Sequence, residues 1–203
     1  MSNNDLSDKV AVVTGGADGI GEGIARIIWG CGAQVVIADV QEDKGKALAA
    51  GVGENVSFAV LDVPDPDSWN NLVTELENRY GRLDILVNNA GGGGFGNLDQ
   101  LTIEEWRKIM ALNMDSVFLG CKAASKLLQA DGGGSIINIS STNANRAWPM
   151  FSGYCAAKAG MTMFSKCVAQ HFLETNAKVR CNTVHPGPIE TPNFRRLSAA
   201  EGA

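Results

Sequence analysis

The segment from Lys9 to Gly21, KVAVVTGGADGIG, decides how the rest of the sequence is interpreted. Its first part, Val10 to Val13, is a short apolar run of mostly β-branched residues, which is typical of a strand covered on both faces of a sheet. Small residues follow and helical spacing begins at Ile20, so the segment predicts a strand, a tight turn and a helix. Such a turn directs free backbone N–H groups and the positive end of a helix dipole at one point, where a pyrophosphate can bind.

The glycines of this turn are Gly15, Gly19 and Gly21. Their spacing is not the G-x-G-x-x-G of the common dinucleotide fingerprint. A turn of this composition can also join a strand to a helix without binding a ligand. Its interpretation as a binding site therefore depends on the rest of the sequence.

A second apolar run, Gln34 to Ala38, ends at Asp39, 18 residues after Gly21. A dinucleotide-binding fold places an acidic residue near this position, where its carboxylate accepts hydrogen bonds from the adenosine ribose and repels a 2′-phosphate. Coupled to the glycine turn, Asp39 therefore favours NAD over NADP. The alternative is that Asp39 caps the following helix, which would leave Lys44, the nearest cation, to accept a 2′-phosphate.

Strands and helices alternate along the whole sequence, with turn residues between them. This order predicts an α/β fold, a Rossmann-type doubly wound parallel sheet with helices on both faces, in one domain over residues 1–203. Six strands are visible. Helix starts are marked by Asp65 before Pro66 and by a capping box of Thr102 and Glu105. The predicted strands are 10–13, 34–38, 56–61, 83–87, 135–139 and 179–184, and the predicted helices after the first are 43–50, 66–80, a region from 102 to about 129, and 152–172.

Overall composition argues against several classes of protein. The chain is 45% hydrophobic and 19% charged with a net charge of −5, so no clustered basic surface for nucleic acid or an acidic membrane is expected. No apolar window reaches the length of a membrane span, and no signal region is visible at the start. Five scattered cysteines favour reduced thiols and a cytoplasmic location, and two distant histidines without acidic or cysteine neighbours predict no metal site.

Six separated motifs occur in the order in which a known family carries them. They are TGGADGIG (14–21), NNAG (88–91), Asn113, NISS (138–141), YCAAK (154–158) and HPGPIETP (185–192). Together they make the chain resemble the short-chain dehydrogenase/reductase family from Lys9 to Pro192. The strings SVFLGC (116–121) and GGSIINIS (133–140), with the His-Pro before Gly187, are most similar to bacterial hydroxysteroid dehydrogenases of that family.

The resemblance implies an active site and a cofactor site, residue by residue. The implied catalytic set is Asn113, Ser141, Tyr154 and Lys158, with Ser141 rather than Ser140 because it stands thirteen residues before the tyrosine. In the cofactor site, the glycines would hold the pyrophosphate, and other residues the ribose, the adenine and the nicotinamide amide. The implied cofactor-binding residues are Gly15, Asp18, Gly19, Ile20, Gly21, Asp39, Val40, Asp62, Val63, Asn89, Ala90, Gly91, Tyr154, Lys158, Pro186, Gly187, Ile189 and Thr191.

The chemistry of the implied catalytic side chains suits hydride transfer. Oxidation of a secondary alcohol requires a base for the hydroxyl proton and a donor that holds the oxygen, which Ser141 can supply. Tyrosine has an ordinary pKa of about 10, so we expect Lys158, one helical turn on, and the cation of oxidised nicotinamide to lower the pKa of Tyr154. Asn113 is expected to interrupt its helix and to hold a water that relays the proton. Each residue also has an ordinary structural interpretation, such as an interface tyrosine or a solvated lysine.

The loops after residues 91, 141 and 187 are expected to form the substrate pocket. They are apolar, which favours a small hydrophobic secondary alcohol or ketone over a phosphorylated substrate. Arg146 in the second loop is able to bind a substrate carboxylate, although an exposed arginine without a specific role is the simpler interpretation. The large apolar residues of these loops are Phe95, Trp148, Met150 and Phe151.

The end of the sequence differs from the family that it resembles. Family members continue with a lid, a helix and a seventh strand after the region equivalent to Thr191, whereas this sequence ends at Ala203. We therefore expect either a fragment or a molecule without its lid. Three hypotheses stay open: an NAD-dependent dehydrogenase, an NADP-dependent ketoreductase of the same family, and a nucleotide-binding remnant without turnover.

Two helices carry more apolar surface than one protein core needs. The helix predicted from Ser152 to Phe172 is apolar on several sides. We expect this helix and the helix after Asn113 to pair with a second subunit. The sequence thus favours a homodimer or a homotetramer.

Overall fold

The fold is built on one parallel β-sheet, which the computed structural model describes, with the rest of the fold, over residues 5–192 and 194–195. Its strands are β1 (Val10–Thr14), β2 (Gln34–Asp39), β3 (Val56–Val60), β4 (Ile85–Asn88), β5 (Ser135–Ile139) and β6 (Arg180–Val184). The helices are α1 (Gly19–Gly30), α2 (Glu42–Val52), α3 (Pro66–Tyr80), α4 (Ile103–Met110), α5 (Ser116–Gln129) and α6 (Ser152–Glu174). The strand order is β3-β2-β1-β4-β5-β6, and every neighbouring pair is parallel.

The central strand β1 sends alternate side chains into two hydrophobic cores. Val10 and Val12 pack with buried residues of α3, α5 and α6, whereas Ala11 and Val13 pack with residues of α1 and α2. Because helices cover both faces of β1, the strand is a continuous apolar run instead of an alternating one. The predicted doubly wound α/β fold is confirmed.

The winding direction of the chain reverses at β1. This strand pairs with β2 on one side and with β4 on the other. Doubly wound sheets bind ligands in the crevice beyond the carboxyl ends of the strands at such a switch point. The turn after β1 and the loop after β4 meet there, since Asn89 N donates to Thr14 Oγ1 at 3.0 Å.

The predicted helix starts and one predicted stop are confirmed. The Asp65 carboxylate accepts two backbone hydrogen bonds from the first turn of α3, which Pro66 opens. Thr102 and Glu105 form both bonds of the capping box before α4. Gly81 ends α3 with a φ of 66°, a left-handed conformation that glycine adopts without strain.

The helical region predicted from 102 to about 129 contains the expected interruption. A turn of π-helix, Ala111–Asp115, joins α4 to α5, and Asn113 lies in its middle. A π-turn inserts one residue into the helical ladder, so the Asn113 side chain is redirected away from the regular helix face.

Several element ends differ from the predicted ones by one or two residues, and the start of β4 and the end of α6 are two examples. β4 begins at Ile85 instead of Leu83, because Leu83 N donates to Leu127 O at the end of α5 and not to a neighbouring strand. α6 continues past Phe172 to Glu174. The prediction stopped earlier because the last two residues of the helix are exposed and do not extend its buried apolar pattern.

Three findings concern membrane spans, metal ligands and disulfides. Within residues 5–192 and 194–195, no helix is long and apolar enough to cross a membrane. The same part of the chain contains no group of three His, Cys, Asp or Glu side chains placed to hold a metal ion. All five cysteines are free thiols.

Candidate active site

A groove of about 570 Å³ runs across the carboxyl ends of the strands, at the switch point. It begins at the glycine turn after β1 and reaches the end of β5 and the first turns of α6. Most of the site residues predicted from the sequence line it. The lining residues are Gly15, Asp18, Gly19, Ile20, Asp39, Val40, Gln41, Leu61, Asp62, Val63, Asn89, Ala90, Gly91, Gly92, Leu112, Ile139, Ser140, Ser141, Tyr154, Lys158, Pro186, Gly187, Thr191 and Pro192.

The turn after β1 has a shape that requires glycine. Gly15 and Gly19 have φ values of 60° and 55°, and a Cβ on Gly15 would lie only 2.9 Å from the Ala90 Cα. Asp18 precedes α1 as its N-cap and makes no side-chain hydrogen bond to the first turn. The first N–H groups of α1 are therefore directed at the groove without a side-chain cap, which is an arrangement that a pyrophosphate fits.

Gly21 lies beneath this turn and does not line the groove. A Cβ on Gly21 would be 2.0 Å from Gly15 O and 2.6 Å from Asn89 Nδ2, so the packing permits glycine alone. The Asn89 amide donates to Thr14 O at 2.9 Å and to Gly15 O at 3.1 Å. Gly21 thus shapes the turn, and Thr14, which sequence reasoning missed, ties the turn to the loop after β4.

Asp39 ends β2 with 6% of its surface exposed and faces the groove. Its Oδ2 accepts a hydrogen bond from Ala17 N at 3.1 Å, and its Oδ1 accepts one from Gln41 N at 3.0 Å. No side chain caps the first turn of α2; the bond that joins Asp39 to this helix ends on Gln41 N, before the first turn, and the carboxylate stays at the groove. Gln41 Nε2 also donates to Oδ1, at 3.4 Å. A carboxylate has about four acceptor positions, so one is left for a ribose hydroxyl, and a second becomes available where the hydroxyl replaces this long bond.

Lys44, the cation in the alternative that Asp39 caps α2, is paired. Its Nζ lies 2.5 Å from Oδ2 of Asp18 in the glycine turn. Both side chains are partly exposed, so the pair adds little to the free energy of folding. Its consequence is local: Lys44, the cation nearest to Asp39 along the sequence, is already paired with a carboxylate.

Tyr154 and Lys158 lie one turn apart in α6 and both line the groove. Lys158 is only 3% exposed; its Nζ donates to Ile139 O at 2.8 Å and lies 5.6 Å from the centre of the Tyr154 ring. Gly91 packs against this ammonium, since a Cβ there would be 3.3 Å from Nζ. Burial lowers the pKa of Lys158 from 10.5 to about 8.

The pKa of Tyr154 is raised, which is the opposite of the expectation from sequence. Burial disfavours the phenolate and is the largest cause, whereas interaction with the Ser141 hydroxyl lowers the pKa and offsets burial only in part. The expected lowering relied on Lys158 and on a nicotinamide cation, but the Lys158 ammonium is held by the Ile139 carbonyl. In the protein alone, the phenol therefore stays protonated near neutral pH.

The two serines after β5 have different partners. Ser141 lines the groove, and its Oγ accepts a hydrogen bond from Asn143 N at 3.1 Å, so its own hydrogen is left for oxygens on the groove side, the Tyr154 hydroxyl among them. Ser140 is buried, and its Oγ donates to Lys158 O at 3.1 Å. This difference supports Ser141 as the residue that faces a substrate.

Asn113 is fully buried and does not line the groove. Its Nδ2 donates to Gly92 O at 2.8 Å and to Ile109 O at 3.0 Å, and its Oδ1 accepts from Gly92 N at 3.2 Å. Both amide hydrogens are thus used by backbone carbonyls. Asn113 fixes the loop after β4 to the π-turn, and the expected water-holding role has only Oδ1 to rely on.

An aromatic cluster extends the site beyond Tyr154. The Phe151 ring lies 5.4 Å from Phe95, 5.5 Å from Trp148 and 6.4 Å from Tyr154, centre to centre and edge to face. A bridge between Gly96 and Phe151 holds the two loops together. The cluster packs beside Tyr154, in agreement with the apolar composition of these loops, but none of the four large apolar residues expected in the substrate pocket, Phe95, Trp148, Met150 and Phe151, lines the groove.

Two further residues that the sequence analysis named lie outside the groove. Ile189 is 47% exposed and does not line the groove, and Arg146 is exposed and lies outside it. The lining residues that sequence reasoning missed lie mostly next to predicted ones along the chain, and this position at the carboxyl end of a strand was the available signal. They are Gln41, Leu61, Gly92, Leu112, Ile139, Ser140 and Pro192.

The buried ammonium predicts a pH-dependent stability change. Below about pH 8, Lys158 is protonated in both the folded and the unfolded state, so the full free-energy cost of burying the ammonium acts. Above about pH 8 the folded state releases the proton, and this cost falls until the pH reaches 10.5, the pKa of the unfolded state. Lys158→Met should therefore raise the free energy of unfolding at neutral pH by about 2 kcal/mol, the burial cost of about 3 kcal/mol less about 1 for the lost hydrogen bond.

Urea unfolding at neutral pH and at about pH 10 measures this change. The gain should be smaller at the higher pH, and Lys166→Met, an exposed lysine on the same helix, should show no such gain at either pH. A Lys158→Met variant that is less stable than the parent at neutral pH would contradict the burial cost.

Comparison with known proteins identifies close relatives over nearly the whole chain. The sequence profile of the short chain dehydrogenase family matches residues 9–202. The chain is 40% identical to trans-4-hydroxycyclohexanecarboxylate dehydrogenase from Sinomonas cyclohexanicum, over 97% of the chain and 78% of that protein. It is 34% identical to 3-beta-hydroxysteroid dehydrogenase from Comamonas testosteroni, over 93% of the chain and 74% of that protein.

Two further comparisons bear on cofactor and fold. The chain is 37% identical to an NADP-dependent (R)-specific alcohol dehydrogenase from Lentilactobacillus kefiri, over 97% of the chain and 79% of that protein. A crystal structure of a Burkholderia xenovorans protein described as a short-chain dehydrogenase/reductase superposes with a TM-score of 0.90 at 35% identity, over 97% of this chain and 78% of that one. The chain belongs to the short-chain dehydrogenase family.

Proposed function

We propose that this protein is an NAD-dependent dehydrogenase that transfers a hydride between NAD and a hydrophobic secondary alcohol or ketone, from one domain over residues 1–203. The observation that carries the proposal is the placement of Ser141, Tyr154 and Lys158 on the same groove as the glycine turn and Asp39. The glycine turn would hold the pyrophosphate and Asp39 the adenosine ribose. A dinucleotide held in this way and extended along the groove would bring its other end to the catalytic residues.

The side chains of the groove divide the chemistry between them. Bound NAD supplies the hydride acceptor and a positive charge. Tyr154 first loses its phenol proton to water, and its phenolate then takes the hydroxyl proton of the alcohol, while Ser141 donates a hydrogen bond to the same oxygen as its charge grows. Lys158, with a pKa of about 8, is largely protonated at neutral pH and stabilises the phenolate that forms. In the reverse direction the same phenol returns the proton to a ketone.

The choice of NAD over NADP rests on charge. Asp39 is a buried carboxylate facing the groove, and a 2′-phosphate beside it would bring two like charges together at low dielectric. The cation that could offset this repulsion, Lys44, is paired with Asp18. The adenosine end therefore favours a ribose without a 2′-phosphate.

The substrate class rests on the aromatic cluster and on the relatives. Phe95, Trp148 and Phe151 form an apolar cluster that packs beside Tyr154. Two relatives are named for a hydroxycyclohexane carboxylate and for a 3-beta-hydroxysteroid, both of which are cyclic secondary alcohols. We therefore propose a cyclic, hydrophobic secondary alcohol as substrate, oxidised in the cytoplasm, where the five free thiols stay reduced.

A second candidate is an NADP-dependent ketoreductase with the same catalytic residues. It is favoured by the contact of Lys44 with Asp18, which lines the groove, and one relative is named as NADP-dependent. It requires Lys44 to leave Asp18 for a 2′-phosphate. A remnant without turnover has no support, because Ser141, Tyr154 and Lys158 line one groove and the relatives are named as dehydrogenases.

The formation of reduced cofactor in the presence of a cyclic alcohol tests the proposal. Cyclohexanol, its 4-alkyl derivatives and a 3-hydroxysteroid would each be incubated with NAD and, separately, with NADP, and the absorbance of the reduced nicotinamide followed. We expect reduction of NAD with at least one of these alcohols and much slower reduction of NADP. Turnover with NADP alone would favour the second candidate, and no turnover with either cofactor would overturn both.

We further propose that the protein is a homodimer or homotetramer, formed through α5 and α6. Phe118 on α5 and Met163 on α6 are 45% and 60% exposed, and the Phe118 ring lies 6.1 Å from that of Phe164. These side chains form one apolar face on the outer side of two adjacent helices. Such a face in a water-facing position is typical of a subunit interface.

Light scattering at micromolar concentration should give a mass of two or four chains, and Met163→Glu should lower it. A charge placed in the interface has to be buried without a partner, which is strongly unfavourable. Ile27→Glu is the matched control, because Ile27 is 70% exposed on α1, on the other side of the sheet, and should not change the mass. A monomeric mass for the unmodified protein would contradict the assembly.

A further inference from the structure

The end of β5 contacts Lys158 at two separate points. The Ile139 carbonyl accepts a hydrogen bond from Lys158 Nζ at 2.8 Å. The Oγ of the next residue, Ser140, donates to the main-chain carbonyl of Lys158 at 3.1 Å. The ammonium and the main-chain carbonyl of Lys158 are therefore both hydrogen-bonded at the end of β5, to the two residues that precede Ser141.

A second hydroxyl meets the same carbonyl, but it cannot replace Ser140. Thr162 Oγ1 donates to Lys158 O at 2.9 Å and lies 3.1 Å from Ser140 Oγ. Thr162 belongs to α6, as Lys158 does, so its bond moves with the helix. Of these two bonds to the Lys158 carbonyl, only that of Ser140 fixes α6 relative to the sheet.

We propose that Ser140 is a positioning residue for the reaction: its hydroxyl holds Lys158 against the end of β5, at the separation from Tyr154 and Ser141 that proton transfer requires. This inference rests on the proposed function, because it assigns Ser140 a part in the same proton transfer. Ser140 also lines the groove, but its hydroxyl is bonded to α6. The Ser140 hydroxyl orders the lysine, while the Oγ of the next residue, Ser141, is bonded to Asn143 N and lies at the groove.

The chain offers a matched control on the same two elements. Ser165 is also a buried serine of a β5–α6 contact, since its Oγ accepts a hydrogen bond from Asn138 Nδ2 at 2.8 Å. It lies two helical turns beyond Lys158 and does not line the groove. Removing either hydroxyl loses one buried hydrogen bond between β5 and α6, but only the Ser140 bond ends on Lys158.

Steady-state kinetics of Ser140→Ala, Ser165→Ala and Ser140→Thr separate positioning from simple stabilisation. Both alanine variants should unfold at a lower temperature than the parent. Ser140→Ala should lower kcat about tenfold, the effect of one hydrogen bond, with the KM of the alcohol little changed. Ser165→Ala should keep the parent kcat, and Ser140→Thr, which retains the hydroxyl, should recover most of it. Equal kcat values for the two alanine variants would overturn the proposal.

A readout without cofactor keeps this test distinct from that of the proposed function. Heteronuclear NMR of the lysine Nζ in the cofactor-free protein follows the titration of Lys158, which burial places at a pKa of about 8. Ser140→Ala should move this titration towards the ordinary value of 10.5, because a loosened lysine gains water, and Ser165→Ala should not. An unchanged Lys158 titration in Ser140→Ala would overturn the inference, whereas an inactive parent protein would overturn only the proposed function.

Discussion

Tyr154→Phe should lower kcat about a thousandfold while leaving the dissociation constant for NAD nearly unchanged. The substitution deletes only the ionisable oxygen and keeps the ring, which packs 6.4 Å from Phe151 beside the groove. The remaining groups, Ser141 and Lys158, can hold the substrate oxygen and a positive charge but cannot remove the hydroxyl proton. Stopped assays with high enzyme concentration measure the residual rate, and calorimetry measures the cofactor affinity.

Tyr80→Phe provides the control for this variant. Tyr80 is the only other tyrosine of the chain, lies at the end of α3 outside the groove, and loses the same atom. Its variant should keep the parent kcat. If Tyr154→Phe oxidised any alcohol at the parent rate, Tyr154 could not be the base and the proposed mechanism would be wrong.

Asp39→Ala should weaken the binding of NAD and strengthen the binding of NADP, so that the preference between them changes by about a hundredfold or more. A carboxylate beside a 2′-phosphate costs on the order of a few kcal/mol at an effective dielectric constant of about 20, and each 1.4 kcal/mol is about tenfold. The substitution removes this repulsion together with the acceptor for the ribose hydroxyls. Dissociation constants of both cofactors, measured by calorimetry, give the change directly.

Two related variants separate the contributions to this preference. Asp43→Asn loses the same charge from the exposed first turn of α2, outside the groove, and should leave both affinities as they are. Asp18→Asn breaks the pair with Lys44 and should improve NADP binding by releasing the cation. Equal dissociation constants for NAD and NADP with the unmodified protein would reject the NAD assignment and favour the ketoreductase.

The fold was predictable because each β-strand has a recognisable local sequence pattern. The apolar run from Val10 to Val13, covered on both faces, and the glycines after it have direct counterparts in β1 and its turn. Capping residues such as Asp65 and Thr102 mark helix starts in the same local way. Local patterns therefore located the elements, their order and the edge of the sheet that forms the groove.

The sequence could not show which residues of different strands, helices and loops contact each other. Gly21 shares a motif with Gly15, yet its place beneath the turn depends on the approach of Asn89 from another loop. The raised pKa of Tyr154 depends on burial by distant segments and on a lysine that is held by the Ile139 carbonyl. Burial and three-dimensional pairing are properties of the assembled fold, so a sequence pattern carries no direct record of them.

The same reason explains Lys44 and Ser140. Proximity in sequence placed Lys44 as a spare cation near Asp39, whereas the folded chain pairs it with Asp18, 26 residues earlier. Ser140 was set aside because its neighbour matched the expected spacing to the tyrosine. Its bond to the Lys158 carbonyl joins residues 18 positions apart and became visible only in the structure.

The central claim is that this groove brings a secondary alcohol and NAD together for direct hydride transfer. A cyclic secondary alcohol that carries deuterium on the carbinol carbon tests it, with the reduced cofactor analysed by mass spectrometry and NMR. The account predicts one deuterium per reduced nicotinamide, bound to the ring carbon that accepts the hydride, with none appearing for Tyr154→Phe within the same reaction time. Reduced NAD without deuterium, or no reduction of NAD by any alcohol of the panel, would contradict it.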